Sequence, residues 1–133
     1  MLVFWSVLGR PTSSGRYADA GGGGPAFYAY GDKRHTYIEF DTNRRVVRVS
    51  TTQTGPRTAE GVGVGSSEKD VDALSQTACR VERVDDAERG LYYRHECYRL
   101  TPSAKMTYEL PDTEGHAPDR DAQRVQRVTL ERR

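Results

Sequence analysis

Alternation of apolar and polar positions dominates the chain from Ala26 onward and predicts strands. Phe27 to Tyr30 is a short aromatic strand. Thr36-Tyr37-Ile38-Glu39-Phe40 puts Ile38 and Phe40 on one side, and Arg45 to Thr52 is rich in β-branched residues. Between them Asp41-Thr42-Asn43-Arg44 has the side chains that accept tight-turn backbone angles, so the pair reads as an antiparallel hairpin that Gly55 and Pro56 end. Thr107 to Leu110 is a further strand stopped by Pro111-Asp112. Residues 112–122 form a polar loop, and Arg124 to Leu130 is the last strand.

Cys79 to Leu100 predicts a second hairpin, turning at Asp85 to Gly90. One register sets Arg80 opposite Glu96, Glu82 opposite Arg94 and Val84 opposite Tyr92. Opposed charges and an apolar pair favour that register over its neighbours, since a one-residue slip would break all three. The same register sets Cys79 opposite Cys97, at a separation that a disulfide spans. A Cys79–Cys97 disulfide is therefore expected, and with it an oxidising compartment, secreted or in the cell envelope. Reduced cysteines would instead mean a cytoplasmic protein.

The pattern turns helical only in Gly61 to Leu74. After Gly65, Ser66 or Ser67 caps a helix start, and Glu68 and Asp70 suit the positive end of its dipole. Val71 and Leu74 share a face, with Ala78 four further on. The expected helix covers about 67–77. Alone it is too short to persist, so it must pack on the sheet. Gly61, Gly63 and Gly65 lack the spacing of a dinucleotide fingerprint, and no lysine precedes Ser66 as in a phosphate loop. The glycines read as backbone geometry.

These elements predict an α+β domain over 26–133, an antiparallel sheet of five to seven strands with one short helix on one face. Only 35% of the residues are hydrophobic, which points to a small core or an unstructured portion. Residues 1–25, rich in Gly, Ser and Pro and ending in four glycines and Pro25, read as a disordered tail. Met1 to Leu8 is apolar, but Arg10 and Arg16 follow it where an export signal carries its charge first. That segment reads as a truncated signal or a sticky end. No apolar run is long enough for a membrane-spanning helix. A net charge of +1 gives no global field for nucleic acid, although Arg124, Arg127, Arg132 and Arg133 keep a weak version of that reading open.

An internal echo runs through the strands. Thr36 to Phe40 followed by Arg45-Val46-Val47-Arg48-Val49 recurs as Thr107 to Leu110 followed by Arg124-Val125-Gln126-Arg127-Val128. A degenerate duplication, 26–60 and 61–133, is one explanation; convergence of arginine-rich strands is the other. The Gly-Val-x-Val-Gly-x-Ser turn at 61–67, the helix carrying Val71 and Leu74, and the antiparallel strands up to Leu130 resemble small exported bacterial domains. These are of the β-lactamase-inhibitor-protein and outer-membrane-assembly lipoprotein type, and uncharacterised actinobacterial secreted domains. The resemblance implies function through binding other proteins, with no shared catalytic residues.

Candidate chemistry is sparse. His95 and Cys97 alternate on one strand, but a structural zinc site wants four ligands, and Cys97 already has a partner in Cys79. Glu109, Asp112, Glu114, Asp119 and Asp121 lack calcium-loop spacing. No metal or cofactor is expected. Tyrosine is abundant on the strands, and a surface of Arg83, Tyr93 and His95 on the sheet face away from the helix is the candidate recognition site. The functional expectation is a non-enzymatic protein-binding module with an unidentified protein partner. A small hydrolase without a recognisable motif and a weak nucleic-acid binder are the alternatives.

Overall fold

A computed structural model describes residues 10–17, 24–31, 35–54, 58, 60–119 and 122–133. The apolar segment 1–8, the glycines 21–23 and the break at Gly55-Pro56 lie outside them. The strands are β1 (Ser13–Arg16), β2 (Pro25–Tyr30), β3 (Thr36–Phe40), β4 (Val46–Thr51), β5 (Thr77–Asp86), β6 (Gly90–Leu100), β7 (Ala104–Glu114) and β8 (Arg127–Arg132), with helix α1 (Glu68–Asp72) between β4 and β5. All eight strands join one sheet in the order β1-β2-β3-β4-β8-β7-β6-β5, and every pairing is antiparallel.

The architecture is the α+β antiparallel one, with a strand more than the highest number expected. The extra strand is β1, inside the segment read as a disordered tail. Ser13-Ser14-Gly15-Arg16 has no apolar alternation to betray it, because it is a short edge strand held mainly through backbone pairing with β2. The predicted register of the second hairpin is present: Arg80 faces Glu96, Glu82 faces Arg94, Val84 faces Tyr92 and Cys79 faces Cys97. The two cysteines form a disulfide. Asp86 Oδ1 accepts the amides of Glu88 and Arg89 at 2.8 Å each, and Gly90 at φ 88° completes the turn.

Three boundaries differ from expectation. Helix α1 has five residues instead of about eleven. Ala73 caps it, Gln76 turns into the left-handed region at φ 63°, and Ala78, expected on the helix face, is already in β5. Strand β7 runs through Pro111 because the β6–β7 register shifts between Tyr93 and His95. A bulge is where a strand tolerates a residue without an amide donor. Strand β8 starts at Arg127, since Arg124 and Val125 pair with the helix entry instead of β4. Gly65 N–H donates to Val125 O at 2.7 Å, Val125 N–H to Ser66 O at 2.9 Å, and Ser67 bridges Arg124.

That stitching holds Gly61 to Leu74 on the sheet. Gly65 sits at φ 93°, a conformation that costs little only for glycine. Ser67 is the N-cap, its hydroxyl accepting the Asp70 amide at 3.1 Å, while Ser66 Oγ accepts the Gly63 amide at 3.0 Å. Val71 is fully buried and packs with Val62, Val64, Cys97, Tyr108, Leu110, Val125 and Val128; Leu74 lies at the margin of this cluster, only partly buried. A second cluster on the first four strands joins Tyr28, Tyr30, Ile38 and Phe40, with Tyr28 edge-on to Phe40 at 5.0 Å.

The strand order reads as two four-strand meanders, β1–β4 and β5–β8, meeting where β4 pairs with β8. Val49 and Val128 occupy matching places in the two halves, as do Arg48 and Arg127. The registers then match Ile38 with Tyr108, Glu39 with Glu109 and Phe40 with Leu110. Arg48 pairs with Glu39 at 3.5 Å and Arg127 with Glu109 at 3.7 Å, the same cross-strand contact made twice.

Candidate functional site

Facing residues on neighbouring strands project to the same side of a sheet, so the registers assign every side chain to one of two faces. Cys97, Tyr108, Val128 and Thr51 form one row, beneath α1 and the 62–64 segment. Tyr98, Thr107, Thr129, Ser50 and Tyr37 form the row beside it on the opposite face, and among the described residues no helix packs there.

Arg83, Tyr93 and His95 therefore do not form the open recognition surface expected of them. They alternate with Arg94 and Glu96 and share the covered face with Cys97. His95 is 1% exposed, with Nε2 at 3.1 Å from Glu68 Oε1 at ion-pair distance, outside hydrogen-bond geometry; Glu68 is likewise 1% exposed. His95 Nδ1 has no hydrogen-bond partner among the described residues. Arg83 is exposed and Tyr93 half-buried near the distal end of the sheet. Strand parity carried the warning: Tyr93, His95 and the core cysteine Cys97 are separated by even steps, so one core residue commits all three.

The open face has its own organisation. Ser50, Thr129 and Thr107, from β4, β8 and β7, form a floor of short hydroxyl side chains between Tyr37 on β3 and Tyr98 on β6. Four strand spacings separate the two tyrosines, about 19 Å. Phe27 stacks on Tyr37, with centroids 5.3 Å apart, and Arg80 and Lys105 lie over Tyr98 at 5.7 and 5.6 Å. Along one side of the floor the charges alternate, Glu39, Arg48, Glu131 and Lys105, with Arg48 reaching both glutamates at 3.5 Å. Along the other side stand Arg127, Glu109, Glu96 and Arg80. Tyr37, Glu39, Arg48, Ser50, Arg127, Thr129 and Glu131 enclose a shallow basin of about 580 Å³.

On the covered face a cleft of about 530 Å³ lies beside the 58–63 segment. Val49, Val62, Ala104, Met106, Val128 and Leu130 form the apolar part of its lining, with Thr51, Thr58, Thr101 and Tyr108 beside them. Arg99 pairs with Glu60 at its rim. The amide of Glu60 itself, then Arg99 and Thr58, hold the Glu60 carboxyl below its usual range, and burial pushes the Tyr108 phenol up. None of the described residues lining this cleft is a histidine, cysteine or serine.

A third cluster brings Glu68 within ligand distance of Cys79 and Cys97, but both sulfurs are committed to the disulfide. His116 lies in the exposed loop after β7, its Nδ1 at 2.8 Å from Glu114 O, and among the described residues it gathers no acidic ligand set around it. No described helix is long and apolar enough to cross a membrane.

The class these features define is a disulfide-bonded antiparallel sheet with a short helix on one face and, among the described residues, no helix on the other. Comparison with protein families, with characterised proteins and with solved structures finds no match. The function must be argued from the two faces themselves.

Proposed function

We propose that the protein is an exported, non-enzymatic protein-binding module that engages its partner through the open sheet face. The observation that carries this is the hydroxyl floor between Tyr37 and Tyr98, bordered on both sides by charges of mixed sign that alternate along one of them. Tyrosine and arginine supply much of the energy of protein interfaces, and short hydroxyl side chains between them leave room for an inserted segment. Strands hold these groups in fixed register, which lowers the ordering cost of association. Mixed charge fits a protein surface better than a phosphate backbone, which calls for a basic stripe. The Cys79–Cys97 disulfide supports an oxidising compartment.

The test combines Tyr37→Ala with Tyr98→Ala. A partner isolated from the cell-envelope fraction of the source organism is titrated calorimetrically against the parent, the double variant and Met106→Arg in the cleft. Hot-spot tyrosines predict a loss of at least about 30-fold for the double variant and little change for Met106→Arg. A partner bound equally well by the double variant, or lost with Met106→Arg instead, overturns the reading.

A further inference from the structure

Strand β5 ends the sheet. It pairs with β6 on one side and with no strand on the other among the described residues. It is ten residues long, and Ala78, Arg80, Val81, Glu82, Arg83, Asp85 and Asp86 are exposed. Val81, 41% exposed, sits mid-strand. A long exposed edge with unused backbone donors and acceptors pairs with another strand unless its sequence prevents it.

The sequence of β5 is complementary to itself. Cys79 and Cys97 face each other with Cα atoms 3.9 Å apart, the close spacing of a pair that does not exchange backbone hydrogen bonds with its neighbour. The amides and carbonyls of Cys79, Val81, Arg83 and Asp85 therefore point outward, away from β6. An antiparallel partner must pair through these odd-numbered residues, which leaves few registers. Centring the pair on Val81 sets Val81 against Val81, Arg80 against Glu82 and Ala78 against Val84. Centring it on Arg80 opposes two arginines, and centring it on Glu82 opposes two glutamates. Only the Val81 register sets Arg80 and Glu82, the two charges in the middle of the open face of β5, against each other. Arg80 already meets Glu96 at 3.0 Å, and Glu82 faces Arg94. Across the junction the row would read Glu96, Arg80, then Glu82 and Arg94 of the second copy, alternating in sign, and the two-fold repeats it. Opposed charges in directly facing, non-hydrogen-bonded positions are the close cross-strand pairs that select a register.

We propose that β5 is a dimerisation edge, pairing antiparallel with β5 of a second copy about a two-fold axis through Val81 and joining the two sheets into one. The interface is isologous, as two-fold dimers require, and does not depend on what the open face binds.

Sedimentation equilibrium over a range of concentrations tests it. The parent is expected at twice the 14.9 kDa chain mass. Arg80→Glu alone opposes glutamates and Glu82→Arg alone opposes arginines, so each single variant is expected at the chain mass. Their one-to-one mixture restores both opposite-charge pairs and is expected to return to twice the mass. Val81→Pro removes an amide that points outward and leaves the β6 ladder intact, so it is expected to be folded by circular dichroism and monomeric. A monomeric parent, single variants that stay dimeric, or a mixture that stays monomeric overturns the proposal.

Discussion

Among the described residues, Glu68 is the carboxyl and His95 the imidazole that the fold takes almost wholly out of water. Glu68 opens α1, where a carboxylate meets the positive end of the helix dipole, and its amide donates to Gln123 O at 3.2 Å. His95 reaches up from β6 to meet it. Removing one member of such a pair leaves the other buried without its partner, whereas replacing both with apolar groups removes the need for one. Glu68→Ala is therefore expected to cost about 3 kcal/mol. The double variant Glu68→Met with His95→Leu should cost less than Glu68→Ala alone. Arg80→Ala, which breaks an exposed pair, should stay within about 1 kcal/mol. Urea denaturation midpoints at constant slope read all three. A Glu68→Ala cost no greater than that of Arg80→Ala would show that the buried pair contributes nothing particular.

At the level of elements, what the sequence revealed depended on whether neighbouring residues constrained each other. The β5–β6 hairpin was legible because two charge pairs, an apolar pair and two cysteines must all agree on one register. Strand β1 was not, since an edge strand of Ser, Gly and Arg needs only backbone pairing. The length of β7 was hidden because Pro111 ends a regular strand but fits a bulge, and a bulge appears only once the partner strand is known. The surface expected of Arg83, Tyr93 and His95 differs for a related reason: the parity of Cys97, once it pairs with Cys79, puts all three on its own face. The true open-face row from Tyr37 to Tyr98 crosses β3, β4, β8, β7 and β6 and depends on the β4–β8 junction, which no local pattern specifies. The hairpin also carries an element-scale prediction. Its disulfide links residues 18 apart, a loop whose closure stabilises by about 3 kcal/mol. Replacing Cys79 and Cys97 together with alanine should lower unfolding free energy by about that amount, and adding a reductant should destabilise the parent but not the variant. Equal response of both proteins to reductant would place the effect elsewhere.

Taken whole, the molecule is two meanders held at one seam, and charged contacts tie that seam beyond the β4–β8 ladder. Arg48 reaches Glu131 at 3.5 Å, and Arg132 at the end of β8 reaches Asp41 Oδ2 at 2.9 Å beyond β3. Asp41 Oδ1 also accepts the Asn43 and Arg45 amides, closing the first hairpin's turn. The Arg132 hydrogen bond first, and the Arg45 amide second, hold the Asp41 carboxyl below its ordinary value of 3.8. The Arg89 and Glu88 amides do the same for Asp86. The Glu60 amide and then Arg99 do so for Glu60, whose ordinary value is 4.5. A carboxyl more acidic in the folded than in the unfolded chain stabilises the fold above its unfolded value, and that contribution disappears as pH falls through the folded one. The share of stability that these three carboxyls supply should therefore be level above about pH 5 and decline below it. Asp41 isolates the seam's share. Asp41→Asn should lower the melting temperature at pH 7, where the parent carboxylate binds Arg132. The difference should shrink as the pH falls through the folded-state value, because the parent carboxyl then becomes protonated as well. Added salt should narrow the pH 7 gap, because the pair is exposed. Thermal melts of both proteins from pH 7 into acid decide it: a gap that does not change with pH would mean that Asp41 acts through the turn alone and leaves the seam to the backbone.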